Sequence, residues 1–71
     1  MIEDKIKFEA GDNKIYEQCL RQSYEHYKNN SKDELLALQK EARERNRAQG
    51  SKNETVADCM IVYFLLEELK D

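Results

Sequence analysis

The 71-residue chain contains no proline and only two glycines, Gly11 and Gly50. A loop that cradles phosphate needs several glycines close together, so nucleotide binding through that device is excluded. Without proline, nothing forces a helix to kink or end in its interior. These absences favour long, uninterrupted helices and exclude one common class of ligand site.

Cysteine is scarce, and long apolar runs are missing. Cys19 and Cys59 are the only cysteines, and no segment approaches the roughly 18 apolar residues of a membrane-spanning helix. The first residues do not form a secretory signal pattern. We therefore expect a reduced, cytoplasmic protein with no membrane partner, in which both cysteines are small core residues.

Catalytic and metal-binding chemistry has little material, because His26 is the only histidine. On one helix, Cys19 and His26 would be separated by about 10.5 Å of axial rise, too far for a nucleophile and its base. Ser23 can contact His26, but no third member or oxyanion loop accompanies them. Cys19, His26 and Cys59 lack the short ligand spacings of zinc sites. We expect no enzyme activity, no metal site and no cofactor.

The composition is 39% hydrophobic and 38% charged, with a net charge of -3. These values are typical of a folded helical domain and not of disorder caused by low hydrophobicity. A chain this short buries only about 60% of its unfolded surface, so a lone monomer has marginal stability. Length and composition therefore predict one small acidic domain that folds either alone or together with a partner.

Two similar segments, "NSKDE" at 30–34 and "GSKNE" at 50–54, indicate where helices begin. Ser31 with Glu34, and Ser51 with Glu54, each have the spacing of a capping box. Gly50 can take the left-handed conformation that closes a preceding helix. An internal repeat is the alternative, but the residues that follow the two segments share only an alanine in register, and repeat stacks need about three units.

Together these signals predict an all-α fold, a small three-helix bundle with an N-terminal arm. Asp12 is the expected cap of the first helix. The predicted helices cover residues near 13–28, 32–49 and 52–69, within one domain of residues 12–71. The conformation of the arm, residues 1–11, stays open, because Ile2 and Ile6 are one helical turn apart whereas Ile6 and Phe8 alternate as on a strand.

The third predicted helix is apolar around its whole circumference from Cys59 to Leu66, "CMIVYFLL". A strand is the alternative, since several of these residues favour sheets. The first helix offers one inward stripe of Tyr16, Leu20, Tyr24 and Tyr27, extended by Cys19 and Ser23.

Because two helices cannot easily cover the third, we expect an interface for a protein partner or a second copy, most simply in a homodimer. The interface residues we predict are Met60, Ile61, Phe64, Leu65, Tyr24 and Tyr27. For the tyrosines, an ordinary core position is the alternative.

The second predicted helix becomes basic and poor in apolar residues after Leu38, so its distal half should lie exposed. Its candidate contacts to nucleic-acid phosphates are Lys40, Arg43, Arg45 and Arg47. Glu41 and Glu44 in the same segment reduce its local positive charge, and they can form ion pairs with its basic side chains along the helix. Nucleic-acid binding is therefore the alternative function, and a solvated, salt-bridged helix is the simpler explanation.

In size and composition, as a small acidic chain without proline or tryptophan, the protein resembles accessory proteins of bacteria and their phages. Some of these inhibit larger enzymes or nucleoprotein complexes. No particular residue carries this resemblance, so it assigns no site. The function predicted from the sequence is that of a small acidic protein-interaction module that modulates a larger protein or self-associates through its C-terminal helix.

Overall fold

Four helices make up most of residues 1–70, the part of the chain that the computed structural model describes. They are α1 (Ile2–Ala10), α2 (Lys14–Tyr27), α3 (Lys32–Gln49) and α4 (Asn53–Glu68). Residues 1–70 contain no strand. The all-α prediction is confirmed, and the strand alternative for "CMIVYFLL" is wrong. The expectation of three helices and an arm is corrected to four helices.

The start and end of α3 follow the predicted signals. The Ser31 hydroxyl accepts a hydrogen bond from the Glu34 backbone N–H at 3.2 Å, and the Glu34 carboxylate accepts one from the Ser31 backbone N–H at 2.8 Å. The capping box is therefore present at this end. Gly50 closes the helix in the left-handed conformation, with φ of 75°. Glycine adopts this conformation without a steric penalty.

Two cap predictions are wrong, and the backbone shows why. Ser51 has φ of 60°, and its N–H donates to the Asn46 carbonyl at 3.0 Å. Ser51 thus helps to close α3 and does not cap α4, which begins after Lys52 without a side-chain cap. At α2 the cap is Asn13 and not Asp12, with the Asn13 side chain accepting from the Tyr16 N–H at 3.0 Å.

The N-terminal segment is a helix that docks on the rest of the chain. Ile6 is 1% exposed, and Ala10, one turn further along, is also buried. The Tyr16 hydroxyl donates to Glu9 at 3.1 Å, and Arg21 pairs with Glu3 at 2.9 Å. Burial, followed by the hydrogen bond to Glu9, raises the pKa of Tyr16, so its hydroxyl stays protonated and able to donate. Apolar burial and polar contacts together hold α1 against α2.

The core forms around α4, which packs against α1, α2 and α3. Between Thr55 and Leu66, Tyr63 is the only residue whose side chain is exposed. The largest fully buried side chains come from all four helices: Ile6, Leu20, Leu35, Ile61 and Val62. The apolar circumference of α4 is therefore covered by other helices of the same chain, one of which is α1.

The described residues form a flat body of 31 × 29 × 17 Å, whose shortest dimension is less than twice a helix diameter. The radius of gyration is 11.4 Å, close to the value of about 11 Å expected for a compact domain of this length. No helix within residues 1–70 is long and apolar enough to cross a membrane. In so flat a molecule, the sides of the helices turned away from the core form much of the surface.

Candidate functional site

The side of α1 that faces away from the core carries Met1, Asp4, Lys5 and Phe8, which we call the α1 stripe. At about 100° per residue, these four positions fall within an arc of about 100° on the helix. The buried Ile6 and Ala10 lie on the other side. The stripe is therefore a consequence of the docked orientation of α1.

The apolar ends of the α1 stripe are the most exposed large hydrophobic side chains of the described chain. Phe8 is 90% exposed and Met1 is 88% exposed. A single exposed apolar residue needs no explanation, but two that border the same groove are typical of a binding surface.

A groove runs beside the stripe between α1 and α4. It is lined by Met1, Asp4, Lys5, Phe8, Glu9 and Phe64. The Lys5 ammonium nitrogen lies 5.9 Å from the centre of the Phe64 ring, within the range of a cation–π contact. The groove therefore combines an aromatic wall with charged groups of both signs.

A second groove continues the apolar surface across the start of α1. It is lined by Met1, Ile2, Tyr24, Leu65 and Glu68. Met1 borders both grooves, so the two form one continuous surface. We call its apolar members, Met1, Ile2, Phe8, Tyr24, Phe64 and Leu65, the apolar face.

The predicted interface residues divide into two groups in the structure. Tyr27, Ile61 and Phe64 are buried within the chain. Tyr24, Met60 and Leu65 are partly buried against the core and keep some accessible surface. Tyr24, Phe64 and Leu65 line the grooves of the apolar face, whereas Ile61 is covered from all sides.

A polar groove lies between α2 and α4 and collects the side chains considered for catalysis. Its lining residues are Cys19, Gln22, Ser23, His26, Glu54 and Asp58. The buried Ser23 hydroxyl of α2 donates to the Asp58 carboxylate of α4 at 2.6 Å. Burial, with the nearby carboxylates of Glu54 and Asp58, raises the pKa of Cys19. The thiol is therefore less nucleophilic than usual.

The same groove does not resemble a metal site. Within residues 1–70, no three histidine, cysteine, aspartate or glutamate side chains form a group that could hold a metal ion. Cys59 is not among the residues that line this groove, and burial is the main reason why the pKa of its thiol is raised. The polar groove is better described as a structural link, because Asp58 also lies 3.6 Å from Arg45 of α3.

The basic residues of α3 do not form one uniform surface. Lys40, Arg43 and Arg47 are exposed, and among the described residues none of them is in an ion pair within 4.0 Å. Arg45 instead reaches towards α2 and α4, where it donates to the Tyr27 hydroxyl at 3.4 Å and approaches Asp58. Arg45 is thus partly engaged within the fold.

Sequence reasoning missed Phe8 and Met1 as surface residues, because the conformation of residues 1–11 was open. The signal was present in the spacing: positions 1, 4, 5 and 8 share a helix side, opposite Ile6 and Ala10. The link from Ser23 to Asp58 was missed because it joins residues 35 positions apart.

The chain matches no protein-family model, no curated protein sequence and no solved structure.

Proposed function

We propose that the chain is a small acidic protein-interaction module that binds another protein surface through its apolar face. The observation that supports the proposal is Phe8, an aromatic side chain 90% exposed at the edge of a groove. Aromatic residues are enriched at interface centres, because they bury a large area while losing little side-chain conformational entropy. The partner is either a larger protein that the module modulates or a second copy of the chain.

Charges around the apolar face suit a specific protein contact. Asp4, Lys5 and Glu9 border the groove beside Phe8, and Glu68 borders the second groove. An apolar centre with charged edges is the usual arrangement of a protein interface. The charges set orientation and exclude mismatched partners, whereas burial of Phe8 and Met1 supplies affinity.

A photo-crosslinking amino acid placed at position 8 tests the proposal in the cells that naturally make the protein. We expect a discrete covalent adduct on illumination. The matched control is position 15, where Ile15 is 66% exposed on α2 and lines neither groove of the apolar face. Adducts of equal yield at both positions, or none at position 8, would contradict a binding role for the apolar face.

Nucleic-acid binding is the second candidate, because Lys40, Arg43 and Arg47 are exposed and outside the ion pairs of the described chain. Replacing these three by glutamine removes the candidate phosphate contacts and spares Arg45, which contacts α2. If three phosphates are contacted, log affinity for duplex DNA falls with log salt at a slope of roughly −2.7. Failure of the unmodified protein to bind a nucleic-acid column at low salt would eliminate this candidate.

A further inference from the structure

The α1 stripe is complementary in charge to its own reverse along the helix. From Met1 to Phe8 its members are apolar, acidic, basic and apolar. Reversing the direction exchanges Met1 with Phe8 and Asp4 with Lys5. An element with this symmetry is complementary to an antiparallel copy of itself.

We propose that the partner of the apolar face is a second copy of this chain, bound so that the two α1 helices pack antiparallel about a twofold axis between positions 4 and 5. This proposal rests on the proposed function and specifies its partner. Asp4 then faces the partner's Lys5, and Lys5 faces the partner's Asp4. Met1 and Phe8 face one another across both ends of the contact. A twofold contact uses the same patch on both copies, so one complementary pairing occurs twice.

Charge selects the antiparallel arrangement over the parallel one. In a parallel pair with the same stripe at the contact, Asp4 would face the partner's Asp4 and Lys5 the partner's Lys5. Like charges placed together across an interface disfavour binding. The antiparallel pair replaces both repulsions with attractions.

The neighbouring groove provides space for the apolar ends of the partner's stripe. Met1 and Phe8 of one copy border the groove whose wall is Phe64. In the antiparallel pair the partner's Met1 and Phe8 come to these same ends, so exposed apolar groups meet a surface that is already apolar. The contact therefore covers the two most exposed hydrophobic side chains without uncovering the core residue Ile6.

Reversing the charge at position 4 or at position 5 of the full chain tests this geometry. Sedimentation velocity of the unmodified protein over a concentration series should show a monomer–dimer equilibrium. Asp4→Lys and Lys5→Asp should each raise the dissociation constant by roughly tenfold or more, because each creates two like-charge contacts per dimer. An equimolar mixture of the two variants should recover the dimer, because both cross-pairs then join opposite charges.

Lys7→Asp is the matched control, because it makes the same change on the same helix at an exposed position outside the stripe. It should leave the dissociation constant nearly unchanged. Recovery in the mixture also excludes misfolding as the cause of weakened association, since two misfolded chains would not restore a specific dimer. Charge variants that dimerise as well as the unmodified protein, or a mixture that stays monomeric, would overturn the antiparallel pairing.

The outcomes separate this inference from the broader function. If the protein is monomeric at every concentration while position 8 forms an adduct with a different chain, self-pairing is refuted and the interaction module stands. If the unmodified protein dimerises but neither Phe8→Ala nor the charge variants weaken it, both the self-pairing and the assignment of the apolar face are refuted.

Discussion

Replacing Ile6 and Phe8 separately by alanine tests the docked helix α1. The two residues are two positions apart, yet Ile6 is 1% exposed and Phe8 is 90% exposed. On a strand, positions two apart share a face and would be buried or exposed together. The helix places Ile6 in the core and Phe8 in solvent, so the two substitutions should differ sharply.

The expected cost follows from burial. Removing the outer carbons of a fully buried isoleucine costs about 2–5 kcal/mol, and the lower half of that range is appropriate because α1 is short and can shift to reduce the cavity. A domain of this length has a total stability of about 4–11 kcal/mol. A loss of about 2–3 kcal/mol should lower the melting temperature by about 8–24 °C. Phe8→Ala should change the stability by no more than about 0.5 kcal/mol.

Thermal unfolding followed by far-ultraviolet circular dichroism measures both effects. The samples should be dilute, so that any contribution of Phe8 to association does not enter the melting temperature. Equal losses for the two variants, or a larger loss for Phe8→Ala, would refute the docked helix and restore the strand-like alternation of the N-terminal segment.

Three further predictions concern the caps, a buried hydrogen bond and pH. Ser31→Ala should lower stability by about 1 kcal/mol because it removes a capping side chain, whereas Ser51→Gly should raise stability, because glycine relieves a φ of 60°; urea unfolding of both variants checks the opposite signs. Ser23→Ala should cost about 1–3 kcal/mol, since it removes a hydrogen bond to the Asp58 carboxylate; the same unfolding assay measures it, and an unchanged midpoint would mean that water replaces the hydroxyl without loss. Hydrogen bonds from Ser31 lower the pKa of Glu34 below its ordinary value of 4.5, so the ionised Glu34 stabilises the fold above pH 4.5 and this stabilisation is lost as the pH falls through the lower pKa of the folded state. Glu34→Gln should therefore make the free energy of unfolding less dependent on pH in this acidic range, and an unaltered pH profile would contradict the assignment.

Much of the architecture was predictable because its signals are local. The predicted span 32–49 matches α3 at both ends, since the Ser31 capping box and Gly50 act within a few residues of the helix termini. The predicted cap at Ser51 is wrong because a residue between two helices can serve the end of the first or the start of the second. The backbone hydrogen bond from the Ser51 N–H to the Asn46 carbonyl shows that Ser51 serves the end of α3.

The surface was less predictable because it depends on which side of α1 meets the core. The apolar circumference of α4 indicated that more neighbours were needed than two helices supply. The structure supplies one of these neighbours as α1, through Ile6. Tyr27 and Ile61, predicted at an interface, are buried within the chain, while Phe8 lies outside. Helical spacing identifies the sides of α1, but only tertiary packing selects the inward one.

Amide chemical shifts recorded by two-dimensional NMR on a dilution series test the central claim most directly. If the α1 stripe is a self-complementary contact, concentration-dependent shifts should concentrate in residues 1–9 and around Phe64 and Leu65, and they should disappear on dilution. Residues 40–47 of α3 should not change. Spectra that are identical at every concentration, or shifts that concentrate in residues 40–47, would contradict the assignment of the contact to α1.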